Sequence, residues 1–512
     1  MAKNSLSKQE PLLIMNKLKK FFPLKRNSFF DKNQIYVRAV EDVNLRIIKG
    51  ETFGLVGESG CGKSTLGRVI LQLYPPTSGS AVYYGSRVED MDLNYIVKEI
   101  EKLPKYQEHA IKCYQKSVKY DEELVSLKKE IDAIEKSKEM PDKNYEKKQK
   151  RVEKLAYLSR EQKKEASRQL REGSRTVGSL ILEENIEQIR DLLLKATVLF
   201  GHNSVIFSGL EGKYSDKYSE EVKSLFEKVR GFKGQKTLAI TERTLDPKYQ
   251  AKLEKNRETG INLTRLDDEE MRNLRRKLQI IFQDPYSSLD SRMTVGQIIG
   301  EAVVEHGMYK KGSKELETYI LETMSKCGLD GYMLHRFPHQ FSGGQRQRIG
   351  IARALALKPE FVVCDEAVSA LDVSIQSQII NLLMELKEQE DLTYLFISHD
   401  LSVIKHISDR IGVMYLGNMV ELGPSAEIYA DPLHPYTKAL LSAIPTTDEI
   451  KGTRIILEGD IPSNIFPPSG CKFRTRCPLA TDKCAKVVPE YREINPGHFV
   501  ACHYYEKTKD MK

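Results

Sequence analysis

Apolar and polar positions follow two different patterns along the chain. Residues 11–50 contain spaced apolar positions that predict short strands, and these favour a small antiparallel sheet. Continuous apolar runs at residues 52–56, 278–282, 361–364 and 394–397 are typical of buried strands. The outer parts of the chain therefore indicate an α/β fold.

The middle of the chain, residues 91–260, is rich in Lys and Glu and lacks these strand-like runs. Apolar residues four and three positions apart predict one face of an amphipathic helix: Tyr120, Leu124, Leu127, Ile131 and Ile134. A second helix is predicted over residues 145–172, ending at Gly173, and a third over residues 182–193. We expect an inserted, mostly helical domain, and its role stays open.

Motif order and length divide the 512 residues into four parts. Residues 1–90 and 262–430 are expected to form two halves of one α/β domain, residues 91–261 the helical insertion, and residues 431–512 a C-terminal segment with four cysteines. The net charge of +8 arises from 80 basic and 72 acidic side chains. A solvated lysine-rich face accounts for this excess as well as binding to nucleic acid or to an anionic membrane surface does. No apolar run approaches the ~18 residues of a membrane span and no signal peptide is apparent, so we expect a cytoplasmic chain.

The chain is organised around residues 57–65, which read GESGCGKST between a predicted strand and a predicted helix. A glycine-rich turn lets backbone N–H groups converge on a phosphate at a helix N-terminus. Lys63 is placed to reach the β- and γ-phosphates, and the Ser64 hydroxyl is placed to ligate Mg²⁺. A plain strand-to-helix turn gives no reason for a lysine followed by two hydroxyl residues. We expect the whole phosphate loop to bind a nucleotide, namely Gly57, Glu58, Ser59, Gly60, Cys61, Gly62, Lys63, Ser64 and Thr65.

Polar side chains follow three further apolar runs. Gln283 can help to ligate Mg²⁺ or orient water, and His399 places an imidazole at another strand end. Between them in sequence come Asp365 and Glu366. In a phosphate-loop ATPase an aspartate in this position holds the Mg²⁺ shell, and the neighbouring carboxylate polarises the attacking water. Because ligands of open α/β sheets bind at the carboxyl ends of the strands, we expect these side chains to share one active site.

Residues 341–345 read FSGGQ ahead of an amphipathic helix. A serine and two glycines there predict a second phosphate-facing helix N-terminus, formed by Ser342, Gly343, Gly344 and Gln345. An aromatic side chain upstream of the phosphate loop can stack on an adenine ring, and Phe22 and Tyr36 are both candidates.

The order GESGCGKST, IIFQDP, FSGGQRQR, VVCDEAVSALD and ISHD closely resembles the ATP-binding subunits of ABC transporters. The runs PYSSLDSRMTVGQII and DPLHPYTKALLSAIP are similar to the oligopeptide and dipeptide permease ATPases, and IPSNIFPPSGCKFRTRCPLA is most similar to the second ATPase subunit of an oligopeptide importer. The resemblance covers roughly residues 11–90 and 262–505. It implies a P-loop (RecA-like) ABC ATPase core with an antiparallel β subdomain and a helical signature subdomain.

The resemblance also implies roles for single residues. Lys63 is the phosphate lysine, Glu366 the catalytic carboxylate and His399 the γ-phosphate sensor, while Mg²⁺ is held by Ser64, Gln283 and Asp365. The family sandwiches two nucleotides between two ATPase subunits, so that the signature residues Ser342, Gly343, Gly344 and Gln345 act across the dimer interface. Asp372, which ends the SALD run, is also expected at ATP.

The implied cofactors are ATP and Mg²⁺, and the implied activity is ATP hydrolysis coupled to import of oligopeptides. The implied partners are a second ATPase subunit, two membrane permease subunits and an extracellular peptide-binding protein, with no nucleic acid. The expected location is the cytoplasmic face of the cell membrane.

Half of the eight cysteines lie within 32 residues near the C-terminus: Cys471, Cys477, Cys484 and Cys502. Their segment is poor in core-forming residues and would gain stability from a metal or cluster. The spacing lacks the paired CxxC of common zinc ribbons. Similar family members carry an iron–sulfur cluster at such a site, which implies a [4Fe–4S] cluster ahead of zinc, with buried thiols as the remaining alternative.

Two other classes of ATPase compete with a transporter subunit. Chromosome-maintenance and repair ATPases also insert helical coiled coil between phosphate loop and signature, but their coiled coils run for many heptads, whereas the apolar seam here covers about two. A soluble translation-factor ATPase would need two phosphate loops, and this chain has one.

Overall fold

A computed structural model describes residues 10–24, 34–85, 91–136, 143–444 and 455–511. The chain divides into two compact units, of which the first comprises Met1–Gly85 and Asn262–Lys512 and the second comprises Ser86–Ile261. The boundary predicted at residue 90 falls outside the described residues. No helix in the described ranges is long and apolar enough to cross a membrane.

The strands fall into two sheets. In chain order they are β1 (Pro11–Pro23), β2 (Tyr36–Ile48), β3 (Thr52–Val56), β4 (Ser78–Tyr83), β5 (Ile261–Asn262), β6 (Leu278–Ile281), β7 (Phe361–Asp365), β8 (Thr393–Ile397), β9 (Arg410–Tyr415), β10 (Asn418–Pro424), β11 (Arg492–Asn495) and β12 (His498–Val500). The smaller sheet has the order β2-β1-β4-β5, and β1 pairs antiparallel with both β2 and β4. The larger sheet has the order β11-β12-β10-β9-β3-β8-β7-β6.

The centre of the larger sheet is parallel, because β3, β6, β7, β8 and β9 all run in one direction. Every residue of β3, β7 and β8 is buried, as expected for strands covered on both faces. The antiparallel hairpin β9–β10 and the C-terminal strands β11 and β12 extend this sheet on one side. Parallel strands end at the same edge, so the residues that follow β3, β6, β7 and β8 meet there.

The helices of the first unit cover the larger sheet. Some of them also form the segment that precedes the signature residues in sequence. They are α1 (Lys63–Ile70), α9 (Asp268–Leu274), α10 (Val295–Glu305), α11 (Lys314–Lys326), α12 (Gly343–Leu355), α13 (Val373–Gln389), α14 (Leu401–Ile407), α15 (Ser425–Ala430), α16 (Pro435–Ser442) and α17 (Asp482–Lys486). The α/β fold with an antiparallel β subdomain that the sequence predicts is therefore confirmed.

The described part of the second unit is mostly helical. Its α-helices are α2 (Asn94–Glu101), α3 (Leu103–Lys136), α4 (Lys143–Val177), α5 (Ile186–Phe200), α6 (Val205–Glu211), α7 (Glu220–Gly231) and α8 (Pro247–Lys255). The long helices α3 and α4 pack against each other, and Ser159 in α4 donates its hydroxyl to Asp121 in α3 at 2.7 Å. Within the predicted seam Ile131 is buried.

Two local predictions were wrong. The chain before the phosphate loop forms two 13-residue strands, β1 and β2, instead of several short ones. Gly173 does not end its helix, because α4 continues to Val177 and the positive φ of 61° falls at Gly178. A Cβ atom at residue 173 would lie 2.5 Å from the Ile181 side chain, so glycine is needed there for close packing.

Candidate functional site

The phosphate loop connects β3 to α1. Gly57 has a φ of 148° and Gly62 a φ of 104°, which L side chains rarely adopt. A Cβ atom at Gly57 would lie 2.3 Å from the Met414 carbonyl oxygen, and one at Gly62 would lie 2.1 Å from the Ala39 carbonyl oxygen. Both glycines are thus required by conformation and by the close approach of neighbouring backbone.

Lys63 is buried at the first position of α1, where its ammonium group points back into the loop. Its Nζ donates to the carbonyl oxygens of Gly57 at 2.8 Å and Glu58 at 3.1 Å. Cys61 is also buried, with Sγ 3.7 Å from Lys63 Nζ, and burial raises the pKa of its thiol. The lysine charge is therefore held inside the loop at the N-terminus of α1, where an anion is favoured.

Three strand ends meet at Glu366. Gln283 follows β6 and donates Nε2 to Glu366 Oε2 at 2.9 Å, and His399 follows β8 with Nδ1 3.3 Å from the same oxygen. Glu366 itself follows β7 with a φ of 51°, an unusual conformation for a residue with a Cβ atom. Its backbone N–H is held by the Ile397 carbonyl oxygen at 3.0 Å. The backbone and two neighbouring side chains thus fix the orientation of this carboxylate.

The side chains of Gln283, Glu366 and His399 share one cavity with the phosphate loop. The cavity has a volume of about 670 Å³ and is lined by Phe22, Val37, Ala39, Ser59, Gly60, Gly62, Lys63, Ser64, Thr65, Gln283, Glu366, His399 and Asn464. A volume of that order suits a ligand of nucleotide size. Three residues of the phosphate loop are not among the residues that line the cavity: Gly57, Glu58 and Cys61.

Asp365, the last residue of β7, is 1% exposed. Its Oδ2 lies 3.3 Å from Arg68 Nη2 in α1, while its Oδ1 is buried without a hydrogen-bond partner among the described residues. A buried carboxylate oxygen that lacks a donor is costly unless a cation or water satisfies it. The donor set of Asp365 and the Ser64 hydroxyl therefore fits Mg²⁺, which prefers oxygen ligands.

The two aromatic candidates are placed differently. Phe22 lines the cavity, meets the Tyr74 ring edge-on at a centroid distance of 5.5 Å and has Lys20 Nζ 4.9 Å from its ring centre. Tyr36 is 42% exposed at the start of β2 and is not among the lining residues. The geometry favours Phe22 as the aromatic side chain available to a ligand.

The signature residues lie at the start of α12 and not in this cavity. Ser342 caps the helix by accepting from the Gln345 N–H at 3.3 Å, and Gln345 Oε1 accepts from the Ser342 N–H at 3.1 Å. Gly343 and Gly344 form the first turn between them. Asp372 likewise caps α13, and hydrogen bonds from Ser374 and Ile375 lower the pKa of its carboxyl group. Within one chain, the structure does not bring these five residues to the phosphate loop.

The four C-terminal cysteines line one cavity: Cys471, Cys477, Cys484 and Cys502. The Cys471 N–H donates to the Cys484 carbonyl oxygen at 2.8 Å, which ties the two halves of the segment together. Burial raises the pKa of Cys477 to about 12 and of Cys502 to about 11. Across the described ranges, no group of three or more His, Cys, Asp or Glu side chains is arranged to hold a metal ion.

Sequence reasoning missed the residues that brace the phosphate loop from the C-terminal segment. Arg476 forms an ion pair with Glu58, Tyr436 accepts a hydrogen bond from the Glu58 N–H at 2.8 Å, and Asn464 donates Nδ2 to the Gly60 carbonyl oxygen at 3.0 Å. Each is about 380 to 420 residues from its partner, a separation that no local pattern can bridge.

Comparison with known proteins gives two family matches. The ABC transporter family model matches residues 40–188 and 247–369, and the model of the oligopeptide/dipeptide transporter C-terminal region matches residues 420–484. Two proteins of Bacillus subtilis are similar. YkfD is 55% identical over 253 residues, which are 49% of this chain and 77% of YkfD. The oligopeptide transport ATP-binding protein AppF is 53% identical over 250 residues, which are 48% of this chain and 75% of AppF.

A solved dimeric bacterial ABC transporter cassette aligns with 81% of this chain and 98% of its own at 17% identity, with a TM-score of 0.41. Its similarity adds nothing to the sequence matches.

A parallel sheet with a phosphate loop after β3 and polar side chains after β6, β7 and β8 defines a phosphate-loop nucleotide-binding cassette. The two family matches assign the chain to one family within this class. The chain belongs to the ABC transporter family of ATP-binding proteins, and its C-terminal region is of the oligopeptide/dipeptide type. A chromosome-maintenance or repair ATPase is not favoured by these matches.

Proposed function

We propose that the chain binds ATP with Mg²⁺ in the phosphate-loop cavity and hydrolyses ATP to energise the import of oligopeptides. The observation that carries this proposal is the convergence of Gln283, Glu366 and His399 on the cavity that Lys63 and Ser64 also line. The relatives named for oligopeptide transport and the matched C-terminal region support the substrate class.

In the proposed reaction, Lys63 and the backbone N–H groups of the phosphate loop hold the β- and γ-phosphates. Ser64 and Asp365, with help from Gln283, would hold Mg²⁺, which would supply positive charge to offset charge on the phosphate oxygens. Glu366 accepts a proton from the attacking water. Gln283 and His399 orient Glu366 through the contacts at its Oε2. His399 would also sense the γ-phosphate.

The site is incomplete in one chain under this proposal. Ser342, Gly343, Gly344 and Gln345 place a helix N-terminus outside the cavity, which suits a phosphate bound by a second ATPase subunit. Asp372 would act at the same interface. Two membrane permease subunits at the cytoplasmic face and an extracellular peptide-binding protein would complete the transporter.

The four-cysteine segment is proposed to hold a [4Fe–4S] cluster, with zinc as the alternative. In favour of this, four thiols line one cavity, which is the donor set that such a cluster needs. The cluster would cross-link a segment that has little apolar core of its own. Since the thiols are not arranged as ligands, loading requires Cys471, Cys477, Cys484 and Cys502 to move together.

Reconstitution tests the proposed function. The chain should be combined in lipid vesicles with a second ATPase subunit and the two membrane subunits from the same source. ATP hydrolysis should rise when peptide-loaded binding protein is added, and labelled peptide should accumulate on the side of the ATPase subunits. ATP hydrolysis without peptide movement, in a complete and correctly oriented complex, would contradict import.

A further inference from the structure

Arg476 reaches the phosphate loop from the C-terminal segment. Its Nη1 lies 2.7 Å from Glu58 Oε2 and its Nη2 lies 3.0 Å from Glu58 Oε1, so guanidinium and carboxylate meet through two parallel bonds. The Arg476 side chain is 8% exposed and that of Glu58 is 22% exposed. A two-bond contact of this kind fixes orientation as well as distance, which a lysine ammonium does not do.

Glu58 is the second residue of the phosphate loop, and its backbone is tied to the phosphate lysine. The Glu58 carbonyl oxygen accepts from Lys63 Nζ at 3.1 Å and from the Cys61 N–H at 3.2 Å. Its N–H donates to the Tyr436 hydroxyl at 2.8 Å. A displacement of Glu58 would therefore be transmitted directly to Lys63.

Glu58 also brings a negative charge into a loop that is built to receive a triphosphate. Without a counter-charge, this partly buried carboxylate would repel the incoming anion, and the repulsion would be weakly screened. The positive charge of Arg476 compensates the charge of Glu58, and both carboxylate oxygens of Glu58 face the guanidinium group.

Arg476 is held by a part of the chain that is itself anchored. It follows the short 3₁₀ helix Lys472–Thr475, in which Phe473 is buried with ring centres of Tyr415 and Tyr436 at 5.2 Å and 5.3 Å. Lys472 Nζ bonds to Glu41 Oε2 at 2.7 Å and to the Leu416 carbonyl oxygen at 2.8 Å. The guanidinium is thus presented from a packed surface.

We infer that Arg476 is a positioning residue for nucleotide binding, which neutralises Glu58 and holds it away from the triphosphate. This inference rests on the proposed function, because it assigns Arg476 to the binding of the same ATP. It also gives the C-terminal segment a direct part in the nucleotide site, whether or not its four cysteines hold an iron–sulfur cluster.

The test compares ATP affinity and steady-state kinetics of the full chain and its variants in the reconstituted transporter. Arg476→Gln should weaken ATP binding on the order of 10-fold, because it exposes the loop to the Glu58 charge, and should raise KM more than it lowers kcat. The loss should shrink at high salt. Adding Glu58→Gln to Arg476→Gln should recover most of the lost affinity, since the repelling charge is then gone.

Lys483→Gln is the matched control, because it removes an exposed basic charge from the same C-terminal segment without touching the phosphate loop or the groups that anchor Arg476. It should leave ATP affinity close to that of the parent. Circular dichroism and melting temperature of each variant report folding. If Arg476→Gln proves unfolded, Arg476→Lys replaces it, with a smaller loss of affinity expected.

Folded Arg476→Gln protein that binds ATP like the parent would overturn the inference. So would a double variant as weak as the single variant, or a Lys483→Gln variant as weak as Arg476→Gln, because either result would show that the loss of affinity does not come from the Glu58 charge. Failure of the parent itself to bind ATP would instead contradict the proposed function, so the two failures are distinguishable.

Discussion

Gln283 and Glu366 are joined directly, with the amide Nε2 donating to carboxylate Oε2 at 2.9 Å. This bond links the residues after β6 to the residue after β7, and His399 after β8 lies 3.3 Å from the same oxygen. A carboxylate held by an amide donor keeps a fixed direction toward the cavity. In this arrangement Glu366 is the residue proposed to take a proton, and Gln283 and His399 orient its carboxylate.

Replacing Gln283 by alanine should therefore reduce kcat about 10- to 100-fold, in the range found when a group that supports a reactive centre is lost. ATP binding should change less, because the phosphate loop is untouched. Gln279→Ala is the matched control, since Gln279 lies in β6 and its Nε2 bonds to the Arg275 carbonyl oxygen away from the cavity. Equal effects of the two substitutions on kcat would contradict the role of Gln283.

Replacing Lys63 by alanine should abolish measurable ATP binding at concentrations that saturate the parent. The substitution removes the only described ammonium group that lines the cavity, together with its bonds to Gly57 and Glu58. Equilibrium binding of a fluorescent ATP analogue measures the effect, and Lys387→Ala, in α13 and paired with Asp409, serves as control. Unchanged binding by Lys63→Ala would refute a nucleotide site at this loop.

Protein purified without oxygen should be brown if the four C-terminal cysteines hold iron, because thiolate-to-iron charge transfer absorbs visible light. Substituting Cys477 by serine should remove the colour, whereas substituting Cys327, which is buried outside this segment, should not. Colourless parent protein with stoichiometric zinc would exclude the iron cluster and select the zinc alternative.

Metal loading should also depend on pH. A cysteine must lose its proton to bind metal, and burial raises the pKa of Cys477 to about 12 and of Cys502 to about 11, which favours the protonated thiol. Uptake of metal by metal-free protein should thus increase from about pH 6.5 to about pH 8.5 and should release protons. Uptake that is flat across that range, measured by absorbance or metal analysis, would contradict metal binding by these thiols.

Deleting residues 91–260 and joining the ends with a flexible linker of about six residues should preserve ATP binding. The strands on either side of the deletion, β4 and β5, are neighbours in one sheet, so a short linker can close the gap. ATP affinity and the melting temperature are the measurements. Loss of cooperative unfolding in the shortened chain would show that the first unit depends on the second for its stability.

Local chemistry made much of the first unit predictable. Apolar runs for β3, β7 and β8 stand out because both faces of each of these strands are covered, and glycine, lysine and hydroxyl residues mark the loop between β3 and α1. Strand ends in a parallel sheet share one edge, so the meeting of Gln283, Glu366 and His399 followed from the pattern.

Long-range contacts were beyond local reasoning. The sequence around Gly173 resembles a helix end. A glycine is required there because the Ile181 side chain, in the turn that follows α4, packs against it. Arg476 and Asn464 reach the phosphate loop from the C-terminal segment only because Phe473 and its aromatic neighbours pack that segment onto the core. Tertiary packing decided these positions.

The central claim is that Glu366 performs the chemical step on ATP in a site shared with a partner subunit. Glu366→Gln keeps the shape of the side chain and removes its charge, so ATP should still bind while hydrolysis slows on the order of 10²–10⁴-fold. Glu360→Gln, immediately before the start of β7, is the matched control and should turn over ATP normally.

The measurement is retention of radiolabelled ATP after rapid gel filtration of the complete transporter. The account predicts that Glu366→Gln protein retains ATP in a long-lived closed complex and that the isolated chain hydrolyses ATP only weakly. Release of ATP by Glu366→Gln as fast as by the parent, or full turnover by the isolated chain, would contradict the shared-site mechanism.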